Sequence, residues 1–325
     1  MRVFVAGATG AIGRRLVPQL VARGYQVAAT TRSPEKAERL RALGAEPVVV
    51  DGLDAIAVGG AVARAEPEVV IHQMTSLAGL GNLRRFDREF AVTNRLRTEG
   101  TDHLLAAAAA AGVRRFIAQS YTGWNNVRAG GPVKTEEDPL DPAPPSAQRE
   151  SLDAIRYLEH AVLDAAPIEG VVLRYGSFYG PGASEELVEL IRRRRLPIVG
   201  GGTGIWSFVH IDDAAAATVA AVERGEPGIY NIVDDEPAPV VECLPYLAEA
   251  VGAKAPLRVP VWLGRLAAGE VAVSIMTQIR GSSNAKAKRE LGWQPVWRSW
   301  REGFRHGLSD VEPWQPASRT SRTAA

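Results

Sequence analysis

Three glycines at three-residue spacing stand near the start of the chain, in Gly7-Ala8-Thr9-Gly10-Ala11-Ile12-Gly13. Before them runs a short β-branched stretch, residues 2–6; after them Ile12, Leu16, Leu20 and Val21 recur at helical spacing. The glycines therefore sit in a turn from strand to helix. Such a turn needs glycine where the chain reverses tightly, where backbone N–H groups must touch a pyrophosphate, and where helix and strand pack closely. The helix N-terminus then faces the anion. The chemistry expected of Gly7, Thr9, Gly10, Ala11, Ile12 and Gly13 is dinucleotide binding through the main chain; a purely structural strand-to-helix turn is the alternative.

Which dinucleotide binds depends on the end of the second strand, residues 26–31. An acidic residue there would hold a ribose 2′-hydroxyl, yet the stretch reads Ala28-Ala29-Thr30-Thr31-Arg32-Ser33, with Lys36 one turn later. Arg32 can stack on adenine and pair with a 2′-phosphate, Ser33 can donate to it, and Thr31 lies beside both. NADP(H) is expected rather than NAD(H); an exposed arginine at a helix start is the competing account. Asp51-Gly52-Leu53 ends the third strand, where the carboxylate can accept from the adenine amino group and Leu53 can cover the ring. A plain β-turn aspartate would look the same.

Other chemistry-bearing residues are sparse. Asp234-Asp235-Glu236 is a carboxylate cluster without a histidine beside it and precedes Pro237. Cys243 is the single cysteine, which excludes an internal disulfide and a multi-thiolate metal site. His72, on the fourth strand, reads as a packed histidine, and Arg192 to Arg195 as an anion site or a solvated helix end. No metal site is expected.

The elements that must position these residues alternate. Apolar strands at 2–6, 26–31, 47–50, 69–72 and 115–119 are separated by helical patterns at 34–43, 54–64 and 86–111, with a helix at 148–165 and strands at 171–175 and 229–233. The fold class is therefore α/β, a doubly wound parallel sheet covered on both faces. After Pro237 the pattern loses regularity and reads as a smaller, irregular lobe. Residues 1–175 and 208–235 are assigned to a Rossmann domain, 176–207 and 236–312 to a substrate-binding lobe, and 313–325 to a disordered tail.

At 325 residues, with 38 Lys+Arg against 37 Asp+Glu, the chain is long enough for an enclosed site and has no global field for a polyanion. Nucleic acid is not an expected partner. No run of about 18 uncharged apolar residues suggests a membrane span, and the charged Arg14 and Arg15 break any signal-peptide pattern, so a cytoplasmic protein is expected.

The glycine loop, together with Asn94-(x5)-Gly100-Thr101, Arg174-Tyr175-Gly176-Ser177-Phe178-Tyr179-Gly180-Pro181-Gly182 and Phe208-Val209-His210-Ile211-Asp212-Asp213, resembles the extended short-chain dehydrogenase/reductases, the NAD(P)-dependent epimerase/dehydratase family. The resemblance covers residues 2–310. It implies a homodimer through the helices at 86–111 and 148–165, a cofactor contact from Tyr175, and a structural helix starting near Asp212.

The family's proton-transfer pair is a tyrosine and, four residues on, a lysine, in Y-x-x-x-K-x-x-x-E. Aligning Glu159 with the trailing glutamate puts Ser151 at the tyrosine position and Ile155 at the lysine position. No tyrosine is followed four residues later by lysine, and no lysine lies between Lys134 and Lys254. Where relatives carry a serine pair after the fifth strand, this chain has Ser120-Tyr121-Thr122. The resemblance thus suggests that a phenol has moved to the strand end: Tyr121, helped by Ser120 or Thr122, would be the acid/base or substrate hydrogen-bond donor. Tyr121 as an aromatic pocket wall is the alternative.

Trp206 and Ser207 stand where nucleotide-sugar relatives carry an Arg-Asp pair whose arginine grips a diphosphate. Trp124, Phe178 and Trp206 suggest instead a pocket for an apolar or aromatic small molecule. The leading expectation is an NADP(H)-dependent oxidoreductase or isomerase with an unorthodox proton donor. The alternatives are a non-catalytic NADP(H)-sensing regulator and a non-redox lyase or cyclase on the same fold.

Overall fold

Seven short runs in which nearly every side chain is apolar form one parallel sheet, as expected of strands buried on both faces. They are β1 (Arg2–Ala6), β2 (Gln26–Thr31), β3 (Glu46–Val49), β4 (Val69–His72), β5 (Arg115–Tyr121), β6 (Glu169–Tyr175) and β7 (Gly228–Ile232). Their spatial order is β7-β6-β5-β4-β1-β2-β3, all pairs parallel. These features come from a computed structural model that describes residues 1–77 and 81–309. The expected disordered tail, 313–325, lies outside the described residues.

Helices α1 (Gly13–Ala22), α2 (Pro34–Ala42) and α9 (Ile211–Glu223) cover one face of the sheet; α3 (Ala55–Ala65), α6 (Glu99–Ala110) and α7 (Arg149–Leu163) cover the other. The order of strands across the sheet reverses between β1 and β4, which opens a crevice at their carboxyl ends.

The helical pattern at 86–111 is three helices rather than one: α4 (Phe86–Glu89), α5 (Ala91–Arg97) and α6. Thr98 breaks the run at φ −99°, ψ −85°. Its hydroxyl donates back to the Asn94 carbonyl at 3.1 Å, a side-chain bond that competes with the helical ladder. The region after Pro237, read as irregular, holds α10 (Val240–Ala250), α11 (Val261–Thr277), α12 (Ala285–Glu290) and α13 (Trp300–His306), and α8 (Glu185–Arg192) packs with them. Periodicity missed α11 because it is apolar all round and leaves helical geometry at Gly269. α9 starts beside Asp212 as expected; His210 is its cap, the His210 Nδ1 accepting the Asp212 N–H at 3.2 Å.

One buried ion pair sets the register of α7. The Arg174 guanidinium on β6 donates to both oxygens of Glu159, at 2.7 and 2.6 Å, and the Ser120 hydroxyl on β5 donates to the same carboxylate at 2.7 Å. Arg97 is buried nearby, held down at about 10 by burial although Glu159 favours its charge. Glu159→Gln leaves two buried guanidiniums undercompensated, so urea titration should show a loss of about 3 kcal/mol or more at constant m-value.

His72 closes β4. Its Nε2–H donates to the Leu96 carbonyl at 3.1 Å and its Nδ1 accepts from the Met74 N–H at 3.2 Å. Burial holds the imidazole neutral, pulling it down to about 4. An unfolded histidine protonates near roughly pH 6.5, so the unfolded chain binds the extra proton first and this stabilisation is lost as pH falls from about 6.5 to about 4. Asp213 opposes it: burial pushes its carboxyl up to about 6, so the folded state takes up that proton first. The wild-type minus His72→Gln difference in unfolding free energy should shrink by about 3 kcal/mol between pH 7 and 4. Asp213→Asn should make the acid loss of the protein steeper.

Candidate functional site

At the crevice, Gly7 adopts φ +91°, and a Cβ there would lie 2.6 Å from the Gln73 carbonyl oxygen. A Cβ on Gly13 would lie 2.3 Å from the Ala8 carbonyl, so helix and strand can approach only as glycines. One on Gly10 would meet nothing but the Gly7 carbonyl, at 3.3 Å, which leaves that face open. Thr9 and Ala11 are half-buried beside it, and Ile12 is buried in the core. α1 has no side-chain cap and no acidic residue in its first turn. An open glycine face, an uncapped helix start and the reversal of the sheet together fit a dinucleotide diphosphate.

At the end of β2 the Thr30 hydroxyl accepts from the Gly7 N–H at 2.9 Å, and the Thr31 hydroxyl accepts from the Ser33 N–H at 3.1 Å. Arg32 is exposed and pairs with no carboxylate among the described residues. Asp51 is exposed and accepts from the Leu53 N–H at 3.1 Å, while Gly52 is buried under Met74. Thr31, Arg32 and Ser33 thus stand at the carboxyl end of β2, and Asp51, Gly52 and Leu53 follow the carboxyl end of β3. Tyr175 does not reach the crevice surface. It is fully buried, bonded to Thr218 at 2.7 Å and Gln73 at 3.2 Å, with burial pushing its phenol up to about 12.

On α7, residues 151, 155 and 159 share one face. Ser151 is fully buried; its hydroxyl lies 2.6 Å from an Asp87 oxygen and accepts from the Asn94 amide at 3.1 Å. Asp87 also accepts the N–H groups of Glu150 and Ser151 and so caps α7. Ile155 is fully buried in an apolar cluster with Phe86, Trp124 and Leu152. No ammonium group stands at the family's lysine position.

The three residues grouped after β5 diverge. Successive strand side chains face opposite ways: Ser120 turns to Glu159, whereas the Tyr121 hydroxyl lies 3.2 Å from the Ser177 hydroxyl. Thr122 is buried between Asn126 at 3.1 Å and Ser282 at 2.6 Å, joining the strand end to the C-terminal part of the chain. Neither neighbour is placed to assist Tyr121. Burial raises the Tyr121 phenol above its ordinary value.

Trp124 stacks on Tyr121 at 6.2 Å and meets Phe86 edge-on at 5.1 Å. Trp206 joins the same cluster and donates its indole N–H to the Ile275 carbonyl at 3.1 Å. Phe178 is not in that cluster; it packs against Tyr175 at 5.5 Å. Sequence reasoning missed Asp87 and Ser177. Asp87 carries no signal of spacing, and Ser177 lay inside a motif read for its aromatic residues.

His210 and Asp213 are structural: His210 contacts the Gly307 carbonyl at 3.0 Å, and Asp213 accepts the N–H groups of Val296 and Trp297. Among the described residues no three His, Cys, Asp or Glu gather as a metal site, and no helix is long and apolar enough to cross a membrane.

Residues 3–233 match the NAD dependent epimerase/dehydratase family. The chain is 43% identical over 311 residues to a 3-diazoavenalumate denitrifying reductase of a Streptomyces species, covering 94% of this chain and 99% of the relative. It is 31% identical to a 4-hydroxy-2-methyl-3-oxo-4-farnesyl-3,4-dihydroquinoline-1-oxide ketoreductase of Stigmatella aurantiaca, covering 90% and 92%. Among solved structures, UDP-glucose 4-epimerase of Thermus thermophilus in complex with NAD superposes with a TM-score of 0.72 at 25% identity, covering 95% of this chain and 98% of the other. With its parallel sheet, its glycine crevice and reductases among its relatives, the chain belongs to the NAD-dependent epimerase/dehydratase family and is an oxidoreductase of that nicotinamide-dependent family.

Proposed function

We propose that this protein is an NADP(H)-dependent reductase that delivers hydride to a small aromatic acceptor whose reduction leaves no oxyanion to protonate, aryl diazonium ions being the acceptor class. One observation carries the reading. The two α7 positions that would hold the proton-transfer pair present Ser151, whose hydroxyl is already shared between Asp87 and Asn94, and Ile155, buried among apolar side chains.

A ketone that accepts hydride becomes an alkoxide and needs a positioned acid, an effect of about 10²–10⁴-fold. A lysine ammonium would also repel a cationic acceptor. An aryl diazonium ion needs no acid: a C–H bond forms as the C–N bond breaks, the C–N electron pair leaves with N2, and no proton is taken up. When bound, the nicotinamide supplies the hydride and is oxidised. The relative named for a diazo compound, at 43% identity, supports this class.

Around it the chain's own residues bind and orient. Gly7, Gly10 and Gly13 receive the diphosphate, Arg32 and Ser33 the 2′-phosphate, and Trp124 and Trp206 the aromatic body of the acceptor. Tyr121 donates a hydrogen bond that orients the acceptor. Exposed Val92, Tyr157 and Leu163 on the helices at 86–111 and 149–163 support a homodimer through that face.

With NADPH deuterated at the transferred C4 position and a carboxybenzenediazonium ion, the enzyme should release N2 and place deuterium in the arene, faster than the enzyme-free mixture. A protiated arene, or reduction of ketones alone, would overturn the reading. Arg32→Ala should weaken NADPH binding by about 1–3 kcal/mol in a fluorescence titration and leave NADH binding little changed. Tyr121→Phe should lower kcat/KM less than about tenfold, below the range of a lost general acid.

A further inference from the structure

A groove of about 700 Å³ runs between α11 and the segments at 83–84 and 145–147. Its walls include Leu83, Ala147, Trp262, Leu266 and Val271, with Arg84 among the lining residues. Trp262 and Leu266 are each 66% exposed, an apolar surface that a folded chain leaves open only for a purpose or at a cost in solubility.

The position of Arg84 is built. Its N–H donates to the Asn82 side chain at 3.0 Å. Its aliphatic stem lies over the break in α11, where Gly269 takes φ +86°; a Cβ there would come within 2.9 Å of the Arg84 Cγ. The one carboxylate lining the groove, Glu270, is held by Arg265 at 2.7 Å. Arg84 itself pairs with no carboxylate among the described residues. An unpaired guanidinium beside an apolar wall selects an amphiphilic anion, and its planar fork matches a carboxylate.

Leu83, Ala147 and Val271 also pack with the cluster of Trp124, Tyr121 and Ile155. The groove therefore shares a wall with the cluster against which Tyr121 packs. We propose that it holds the carboxylate end of the acceptor, an aromatic or alkyl carboxylate, with Arg84 on the carboxylate and Trp262 and Leu266 against the apolar segment next to it. Its assignment to the acceptor rests on the reductase reading above; the binding chemistry does not.

Calorimetric titration without cofactor, using trans-cinnamate and its neutral amide as probes, separates the two. The acid should bind wild type at least about fivefold tighter than the amide. Arg84→Gln, an exposed position, should erase that preference while keeping NADPH affinity, Arg84→Lys should retain part of it, and Trp262→Ala should weaken both probes. Equal binding of acid and amide, an unchanged preference in Arg84→Gln, or no binding at millimolar probe would overturn the proposal. In turnover of a carboxylated diazonium ion, Arg84→Gln should raise KM and spare kcat. If no turnover occurs with any diazonium ion, the reductase reading fails while the titrations still decide the groove.

Discussion

The register of α7 depends on a single buried contact, Glu159 with Arg174 and Ser120. Because residues four apart on a helix share a face, anchoring residue 159 against β5 and β6 also fixes where 155 and 151 point: Ile155 into an apolar cluster and Ser151 onto Asp87. The Arg174 and Glu159 side chains are only 6% and 5% exposed, and neither charge would be tolerated there alone. A buried ion pair thus holds the helix face on which Ser151 carries a hydroxyl engaged by Asp87 and Asn94, and Ile155 an alkyl chain.

Those two side chains set the electrostatics around them. Ile155 lies in the cluster of Phe86, Trp124 and Leu152, against which Tyr121 packs. Burial keeps the Tyr121 phenol protonated, and no neighbouring ammonium draws it down. The Asp87 oxygens face the N-terminus of α7, where the helix dipole favours a negative charge. Position 155 thus offers apolar surface and position 151 a hydroxyl already engaged.

The parts of this arrangement legible in the sequence were those determined locally. The strands were plain because burial on both faces demands near-continuous apolar runs, as at residues 3–6 and 69–71. The glycine turn was plain because Gly7 and Gly13 each relieve a clash with main chain. What escaped was determined across space. Asp87 reaches Ser151 over 64 residues of chain, and Thr98 ends α5 by a hydroxyl bond that no periodicity registers. Ser120 and Tyr121 looked like partners in sequence, yet a pleated strand sends adjacent side chains to opposite faces.

The second pattern of error concerns helices rather than strands. α11 is apolar on every side, so it offered no stripe to detect, and its break at Gly269 was invisible until the stem of Arg84 was found lying across it. That break and position 155 are connected through one apolar cluster: Val271 follows the break by two residues and shares the cluster with Ile155. A lysine at position 155 would project a charge into that cluster, where burial without a partner costs several kcal/mol. The apolar packing around α11 and the alkyl side chain at 155 are thus two sides of one requirement.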